Sequence, residues 1–242
     1  MKKSQFNFVK ASENPQLAFV KILLYGDTGA GKTTYSVSTK SPLILLTELN
    51  GSTAIQHSNQ NATFIHITDA NQLASLLRLI CSNPKEFSEY DCIVIDSLTE
   101  MQRLVKDRIT GGSGRPLKLQ EWGKLAADTL SLIRRIRDLP FNVCCTALME
   151  TSIVEDTGDR FVKPEFEGRK TSNQISQYFN LVGCLYREFD GEATHRKVIF
   201  ESGSKIMCKP LGPIKGTIDI STLSLGDIIK SVQAFGGKNG QS

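Results

Sequence analysis

Nearly continuous apolar runs alternate along the chain with segments whose apolar residues recur at helical spacing. The runs at 19–25, 43–47, 92–96 and 143–148 are typical of strands buried on both faces of a parallel sheet. Strands that alternate with helices predict an α/β fold, a three-layer sandwich in which helices cover both faces of a mostly parallel central sheet.

The ends of the predicted helices and loops are marked by capping residues, prolines and glycines. Asp69 is typical of a helix N-cap, and the helix after it is expected to end at Asn83-Pro84. Other helices are predicted over 32–39, 98–109 and 120–139. The glycine-rich stretch 111–116 predicts a loop, and the long polar segment 150–173 predicts a functional or mobile excursion. Strands are expected again over 178–207, with a tight turn at Asp190-Gly191.

The composition indicates one folded domain. Of 242 residues, 40% are hydrophobic and 22% charged, as in an ordinary globular protein. We expect an N-terminal extension over 1–17, the α/β domain over 18–235 and a flexible C-terminal tail over 236–242. No segment approaches 18 consecutive apolar residues, so no membrane partner is expected. The six cysteines form no CxxC pair, which favours a reducing compartment and thus a cytoplasmic location.

A phosphate-binding motif follows the first apolar run. Gly26-Asp27-Thr28-Gly29-Ala30-Gly31-Lys32-Thr33 satisfies GxxxxGK[ST] without a mismatch, and Thr34 comes directly after it. Glycines let the backbone curl until successive N–H groups point at phosphate oxygens, and the next helix adds partial positive charge at its N-terminus. These nine residues are therefore predicted to bind a nucleotide, with Lys32 reaching its β- and γ-phosphates.

Two residues are candidates for holding the Mg²⁺ of a bound nucleotide. The hydroxyl of Thr33 is the expected direct ligand. Asp96 ends the apolar run 92–95, at the edge where open α/β sheets gather ligands, and would hold Mg²⁺ through water. The alternative is that Asp96 caps the following helix, and Ser97 could share either role.

Two further polar residues complete the predicted catalytic set of Lys32, Glu48, Asp96 and Thr146. Glu48 follows the run 43–47, where a carboxylate could orient and deprotonate the water that attacks the γ-phosphate. Solvated glutamates at strand ends are also common. Thr146 interrupts an apolar strand and could sense the γ-phosphate or bond a neighbouring carbonyl.

Four motifs together resemble those of bacteriophage RecA-like P-loop ATPases linked to single-strand annealing and recombination. They are LLYGDTGAGKTT (23–34), YDCIVIDSLTE (90–100), LQEWG (119–123) and NVCCTAL (142–148), and the resemblance spans about residues 18–230. It implies a RecA-like core with ATP and Mg²⁺ as cofactors and the glutamate at the position of Glu48 as catalytic carboxylate. It also implies a homo-oligomeric ring or filament, with ATP between neighbouring subunits and single-stranded DNA held by two loops.

The same resemblance implies partners and a compartment. A single-strand DNA-binding protein is a candidate companion, and a phage-encoded chain would work in the host cytoplasm. Lysines or arginines near the end of such a core reach the neighbour's ATP site, which makes Lys209 and Lys215 candidates for a role in trans. Solvated lysines are the alternative.

Basic residues cluster around the glycine-rich loop. Residues 103–137 hold nine basic and three acidic side chains, a net +6 that exceeds the +4 of the whole chain. Arg108, Arg115 and Lys118 are therefore predicted to contact DNA phosphates with little sequence preference.

The second candidate DNA loop, 150–171, is net acidic, with six acidic and four basic residues. Arg169 and Lys170 at its basic end are the predicted contacts, and Phe161 and Phe166 are candidates for base stacking; a solvated hairpin with its aromatics folded back is the alternative. Trp122, the only tryptophan, is expected to pack into the core rather than stack on a base.

Other function classes share the phosphate loop. A helicase-loading or motor ATPase of replication has the same core and differs only in its partner, so the sequence leaves it open. A small-molecule kinase normally carries an arginine-bearing lid and avoids a water-activating carboxylate, so Glu48 argues against it. The guanine-reading NKxD signature of a GTPase does not occur.

Overall fold

A nine-stranded, mostly parallel sheet forms the centre of the computed structural model, which describes residues 18–48, 51–153, 158–201 and 203–238. Its strands are β1 (Lys21–Gly26), β2 (Pro42–Leu46), β3 (Thr63–His66), β4 (Cys92–Asp96), β5 (Val143–Ile153), β6 (Arg160–Pro164), β7 (Leu181–Phe189), β8 (Thr194–Ile199) and β9 (Thr217–Asp219). They lie in the order β3-β2-β4-β5-β1-β7-β8-β9, with β6 paired to β5. The pairs from β3 to β7 are parallel, and β6, β8 and β9 pair antiparallel.

Helices cover both faces of this sheet. They are α1 (Lys32–Ser36), α2 (Ser52–Ser58), α3 (Ala70–Ser82), α4 (Leu98–Thr110), α5 (Leu119–Arg137), α6 (Arg169–Gln174) and α7 (Leu225–Lys238). Because side chains alternate along a strand, β1 contributes Leu23 to an apolar cluster with α3, α4 and α5, and Ile22 to a second cluster with α1 and α7. The predicted three-layer α/β class is therefore confirmed.

Asp69 caps α3 as expected, since its Oδ1 accepts from the amides of Asn71 and Gln72. Helix α1 is shorter than predicted and ends at Ser36 rather than residue 39. The hydroxyls of Ser36 and Ser38 bond back to backbone carbonyls here, which is how serine competes with continued helix.

The polar segment after residue 148 contains more regular structure than the predicted excursion. Strand β5 runs on to Ile153 and pairs with β6, so that Glu150 lies opposite Lys163. Short helix α6 follows. A polar strand that leaves the core can still satisfy its backbone by antiparallel pairing, which apolar patterning does not reveal. Residues 154–157 lie outside the described part of the chain.

The chain end also differs from the prediction. Helix α7 continues to Lys238, so residues 236–238 of the expected tail belong to this helix. In the last turns of α7 the ring of Phe235 packs against Gly212, where an added Cβ would lie 2.6 Å from its Cδ1. Residues 1–17 and 239–242 lie outside the described residues. Within the described ranges, no helix has the length and apolar character needed to cross a membrane.

Candidate functional site

Residues 26–33 form a tight loop between β1 and α1. Gly29 and Gly31 have φ angles of 77° and 101°, in the left-handed region that glycine tolerates. Positive φ at alternate residues turns successive amides to one side, as in anion-binding nests. Gly26 is required by close packing, because a Cβ there would lie 2.2 Å from the carbonyl oxygen of Leu185 on β7. This backbone shape suits a phosphate group.

The other loop residues surround this curl. Asp27, Thr28 and Thr34 are exposed. Ala30, within the loop, is buried, and its amide donates to the carbonyl of Asp27 at 3.2 Å. Thr28 also lines a cavity of about 540 Å³ together with Thr47 and Glu48.

The side-chain ammonium of Lys32 is held against the start of the phosphate loop by two backbone carbonyls. Its Nζ donates to the carbonyl oxygens of Gly26 (2.9 Å) and Asp27 (2.8 Å). Burial lowers the pKa of Lys32, and the negative charges of Asp96 and Glu48 oppose that shift. An ammonium group has three donors, so one remains for a phosphate oxygen while both carbonyls are bonded.

Asp96, at the end of β4, joins two other predicted site residues. Thr33 Oγ1 donates to its Oδ2 at 2.8 Å, and Thr146 Oγ1 donates to its Oδ1. The Asp96 residue is only 3% exposed; burial raises its pKa, while the hydrogen bonds from Thr146 and Thr33 lower it. Thr146 thus bonds a carboxylate rather than a neighbouring carbonyl. The cap of α4 is Ser97, whose Oγ accepts from the amide of Glu100, so Asp96 is not the capping residue.

Glu48 is connected to this group through Ser97. Ser97 Oγ donates to Glu48 Oε1 at 2.7 Å. Thr47, to which the sequence reasoning gave no role, fixes Ser97: its Oγ1 accepts from the Ser97 amide (2.8 Å) and donates to the Ser97 carbonyl (3.0 Å). Leu46 lies opposite Asp96 in the parallel pair of β2 and β4, so both strands deliver a carboxylate to one crevice.

The donor atoms of this crevice fit a magnesium ion. Thr33 and Asp96 supply a hydroxyl and a carboxylate in direct contact, and hard divalent cations prefer oxygen ligands. Among the described residues, no group of three or more His, Cys, Asp or Glu side chains is placed to hold a metal. A Mg²⁺ bound with few protein ligands keeps waters and takes substrate phosphates as partners.

The two lysines predicted to act in trans lie away from this loop. The Lys209 backbone forms an isolated antiparallel β-bridge with Val182, near the start of β7. Its Nζ donates to the Phe179 carbonyl at 2.7 Å. The phosphate loop lies beside the later part of β7, where Gly26 aligns with Leu185. Lys215 is exposed between β8 and β9. Their action on a neighbouring subunit stays a prediction.

Two of the five basic residues predicted to meet DNA form ion pairs within the described part of the chain. Arg108 forms an ion pair with Asp128 (2.8 Å), and both terminal nitrogens of Arg115 bond the Glu121 carboxylate at 2.7 Å. Lys106 reaches across to Glu167 in the second loop at 2.9 Å. Lys118, Arg169 and Lys170 are exposed. Two of these three pairs use acidic residues already counted in the net +6 of 103–137, and Glu167 brings one acidic residue from outside it, so most of that net charge remains.

Of the aromatic residues near the second loop, Trp122 departs from its expected place in the core, and Phe166 follows the alternative in which the aromatics fold back. Trp122 is 41% exposed rather than buried, because it precedes the inward-facing stripe of α5 that begins at Leu125. Phe166 is 4% exposed and belongs to the core, which removes it as a stacking candidate, while Phe161 is half-buried. A Cβ at Gly168 would lie 3.9 Å from Trp122, so the second loop passes beside this indole.

Two arginines that the sequence reasoning did not single out flank the phosphate loop. A Cβ at Gly31 would lie 2.9 Å from Cδ of Arg196, and one at Gly29 would lie 3.9 Å from Nη1 of Arg187. The sequence feature that could have found them is the predicted turn at Asp190-Gly191, because the hairpin around this turn has a register that places the two arginines opposite each other.

The match to one family model agrees with a nucleotide site. A family model described as an AAA domain, AAA_24, matches residues 18–209. No curated protein matches the chain. Among solved structures, a KaiC-like protein from the hyperthermophilic archaeon Pyrococcus horikoshii OT3 shares 14% identity, with 83% of this chain and 88% of that chain covered and a TM-score of 0.42.

Proposed function

Because this chain belongs to the AAA_24 family of AAA domains and is a P-loop ATPase, we propose that it hydrolyses Mg-ATP to act on single-stranded DNA as a homo-oligomer. The observation that carries the proposal is the chain of polar contacts from Thr33 through Asp96 and Ser97 to Glu48. It joins a cation-holding pair to a carboxylate suited to activate water. We assign the action to recombination or strand annealing on the resemblance of the four motifs.

Each residue of the crevice has a role in hydrolysis. Loop amides and the Lys32 ammonium neutralise the phosphates. Thr33 and Asp96 would hold Mg²⁺, which supplies charge neutralisation at the β- and γ-phosphates when bound. Ser97 donates to Oε1 of Glu48, and Oε2, which has no hydrogen-bond partner among the described residues, would accept the proton of the attacking water.

The surface beside Trp122 supports single-stranded DNA as the partner. An exposed indole provides a stacking platform for any base, and nearby cations bind the backbone between bases. Lys118 precedes the same helix, and Arg169 and Lys170 follow Gly168, which lies against the indole. The two predicted DNA loops thus meet at one aromatic residue.

Hydrolysis assays with and without an oligonucleotide test this proposal, with Trp122 fluorescence as a second readout. Single-stranded DNA should stimulate phosphate release and quench the emission, which comes from the only tryptophan in the chain. Trp122→Ala should keep basal hydrolysis and lose roughly 1–3 kcal/mol of DNA binding if the indole stacks on a base. Unchanged hydrolysis and emission would contradict a DNA partner, and phosphate transfer to a small-molecule acceptor would indicate a kinase.

A further inference from the structure

Arg187 and Arg196 form a like-charged pair on the β7–β8 hairpin. The two residues lie directly opposite each other in the antiparallel register, so their side chains project on the same face. Like charges in this arrangement repel and destabilise a sheet. Neighbouring charges are compensated: Lys197 pairs with Glu188, and His195 contacts Asp190 at 2.7 Å. Within the described residues, neither arginine forms an ion pair with an acidic residue.

This uncompensated pair lies against the phosphate loop. The Arg196 side chain approaches Gly31, with Cδ and Nε 2.9 Å and 3.3 Å from the position of an added Cβ. Arg187 approaches Gly29, with its guanidinium 3.9 Å from the corresponding position. Both side chains are exposed and come from outside the motif. Two guanidinium groups beside a loop of inward-facing amides extend the same positive field.

The strand order shows which part of a nucleotide they would meet. Glu48 follows β2 and Asp96 ends β4, and both strands lie on one side of β1 in the sheet. The two arginines lie on β7 and β8, on the other side of β1. A triphosphate bound across the end of β1 therefore has its γ-phosphate and Mg²⁺ near β4. Its remaining phosphates and the nucleoside lie toward β7 and β8.

We propose that Arg187 and Arg196 bind the α- and β-phosphates of the nucleotide held by their own chain, an inference that rests on the proposed ATP site. Guanidinium groups form short, charge-assisted hydrogen bonds with phosphate oxygens, and an anion between them removes their mutual repulsion. These contacts involve phosphates that ATP and ADP share. The arginines consequently determine nucleotide affinity, while Glu48 determines hydrolysis.

Calorimetric titration of Mg-ADP and of a non-hydrolysable Mg-ATP analogue tests the pair. Arg187→Gln and Arg196→Gln should each weaken both ligands about 10-fold and to the same extent, as expected for one lost charge-assisted bond. Arg196→Lys should recover part of the loss, because it keeps the charge and loses the planar fork. Lys197→Gln is the matched control: it removes the same charge from the same hairpin and should leave both affinities unchanged.

Thermal unfolding without nucleotide gives the second readout. Removing one of two repelling charges should leave Tm unchanged or raised, which separates a lost ligand contact from a damaged fold. Wild-type affinity in both glutamine variants, or a loss for the ATP analogue alone, would overturn the inference and leave the ATP site intact. Absence of nucleotide binding by the wild-type protein would overturn the proposed function and this inference together.

Discussion

The nucleotide site and the basic face differ in how their charges are arranged. By the basic face we mean α4, the loop 111–118, the start of α5 and residues 165–170. At the nucleotide site, two carboxylates and three hydroxyls meet at the ends of parallel strands, and Asp96 is buried among them. On the basic face, cations and carboxylates are paired near solvent. A crevice that concentrates acidic groups requires cations, whereas a basic face with several of its cations in ion pairs attracts a polyanion less than its number of basic residues suggests.

The pairs on the basic face are well formed. The bidentate hydrogen bonds from Arg115, helped by the Lys118 amide, lower the pKa of Glu121 to about 2. The carboxylate therefore stays ionised at any physiological pH and keeps Arg115 occupied. DNA binding on this face must depend on the side chains outside such pairs and on Trp122.

Replacing the water-activating carboxylate is expected to have the largest effect in either region. Glu48→Gln keeps the shape and the hydrogen bond with Ser97 but removes the proton acceptor, so hydrolysis should fall by about 10²- to 10⁴-fold while nucleotide affinity is retained. Single-turnover hydrolysis and calorimetry measure the two quantities. Glu192→Gln in the exposed β7–β8 turn is the control. Hydrolysis at the wild-type rate would show that another group activates the water.

Removing a single charge from the basic face should reduce DNA binding by less than Glu48→Gln reduces hydrolysis, and the reduction should differ between residues. Lys118→Gln should weaken oligonucleotide binding uniformly across sequences and reduce the slope of log affinity against log salt by about 1, as for one lost phosphate contact. Arg115→Gln removes the same charge, but that charge is already shared with Glu121, so its effect should be smaller. Salt titrations of both variants measure the difference. Equal slopes would mean that the ion pair opens when DNA binds.

The elements with local signals could be predicted from the sequence. The phosphate loop, the strand ending at Asp96 and the position of Glu48 depend on short patterns, because neighbouring parallel strands bring their ends to one edge. The pairing of Lys106 with Glu167, 61 residues apart, depends on how the second loop returns over α4. The positions of Arg187 and Arg196 likewise depend on sheet order, and the exposure of Trp122 on the rotation of α5. Each of these requires tertiary packing that apolar periodicity does not encode.

The central claim is that residues 26–34, with Asp96, bind Mg-ATP, and a calorimetric titration of the wild-type protein and Lys32→Ala tests it most directly. We expect saturable, Mg²⁺-dependent binding to the wild-type protein. Binding to Lys32→Ala should be at least about 10-fold weaker, because a charge-assisted phosphate contact is lost. Equal affinity of the two proteins for Mg-ATP, or no binding to either, would contradict the account.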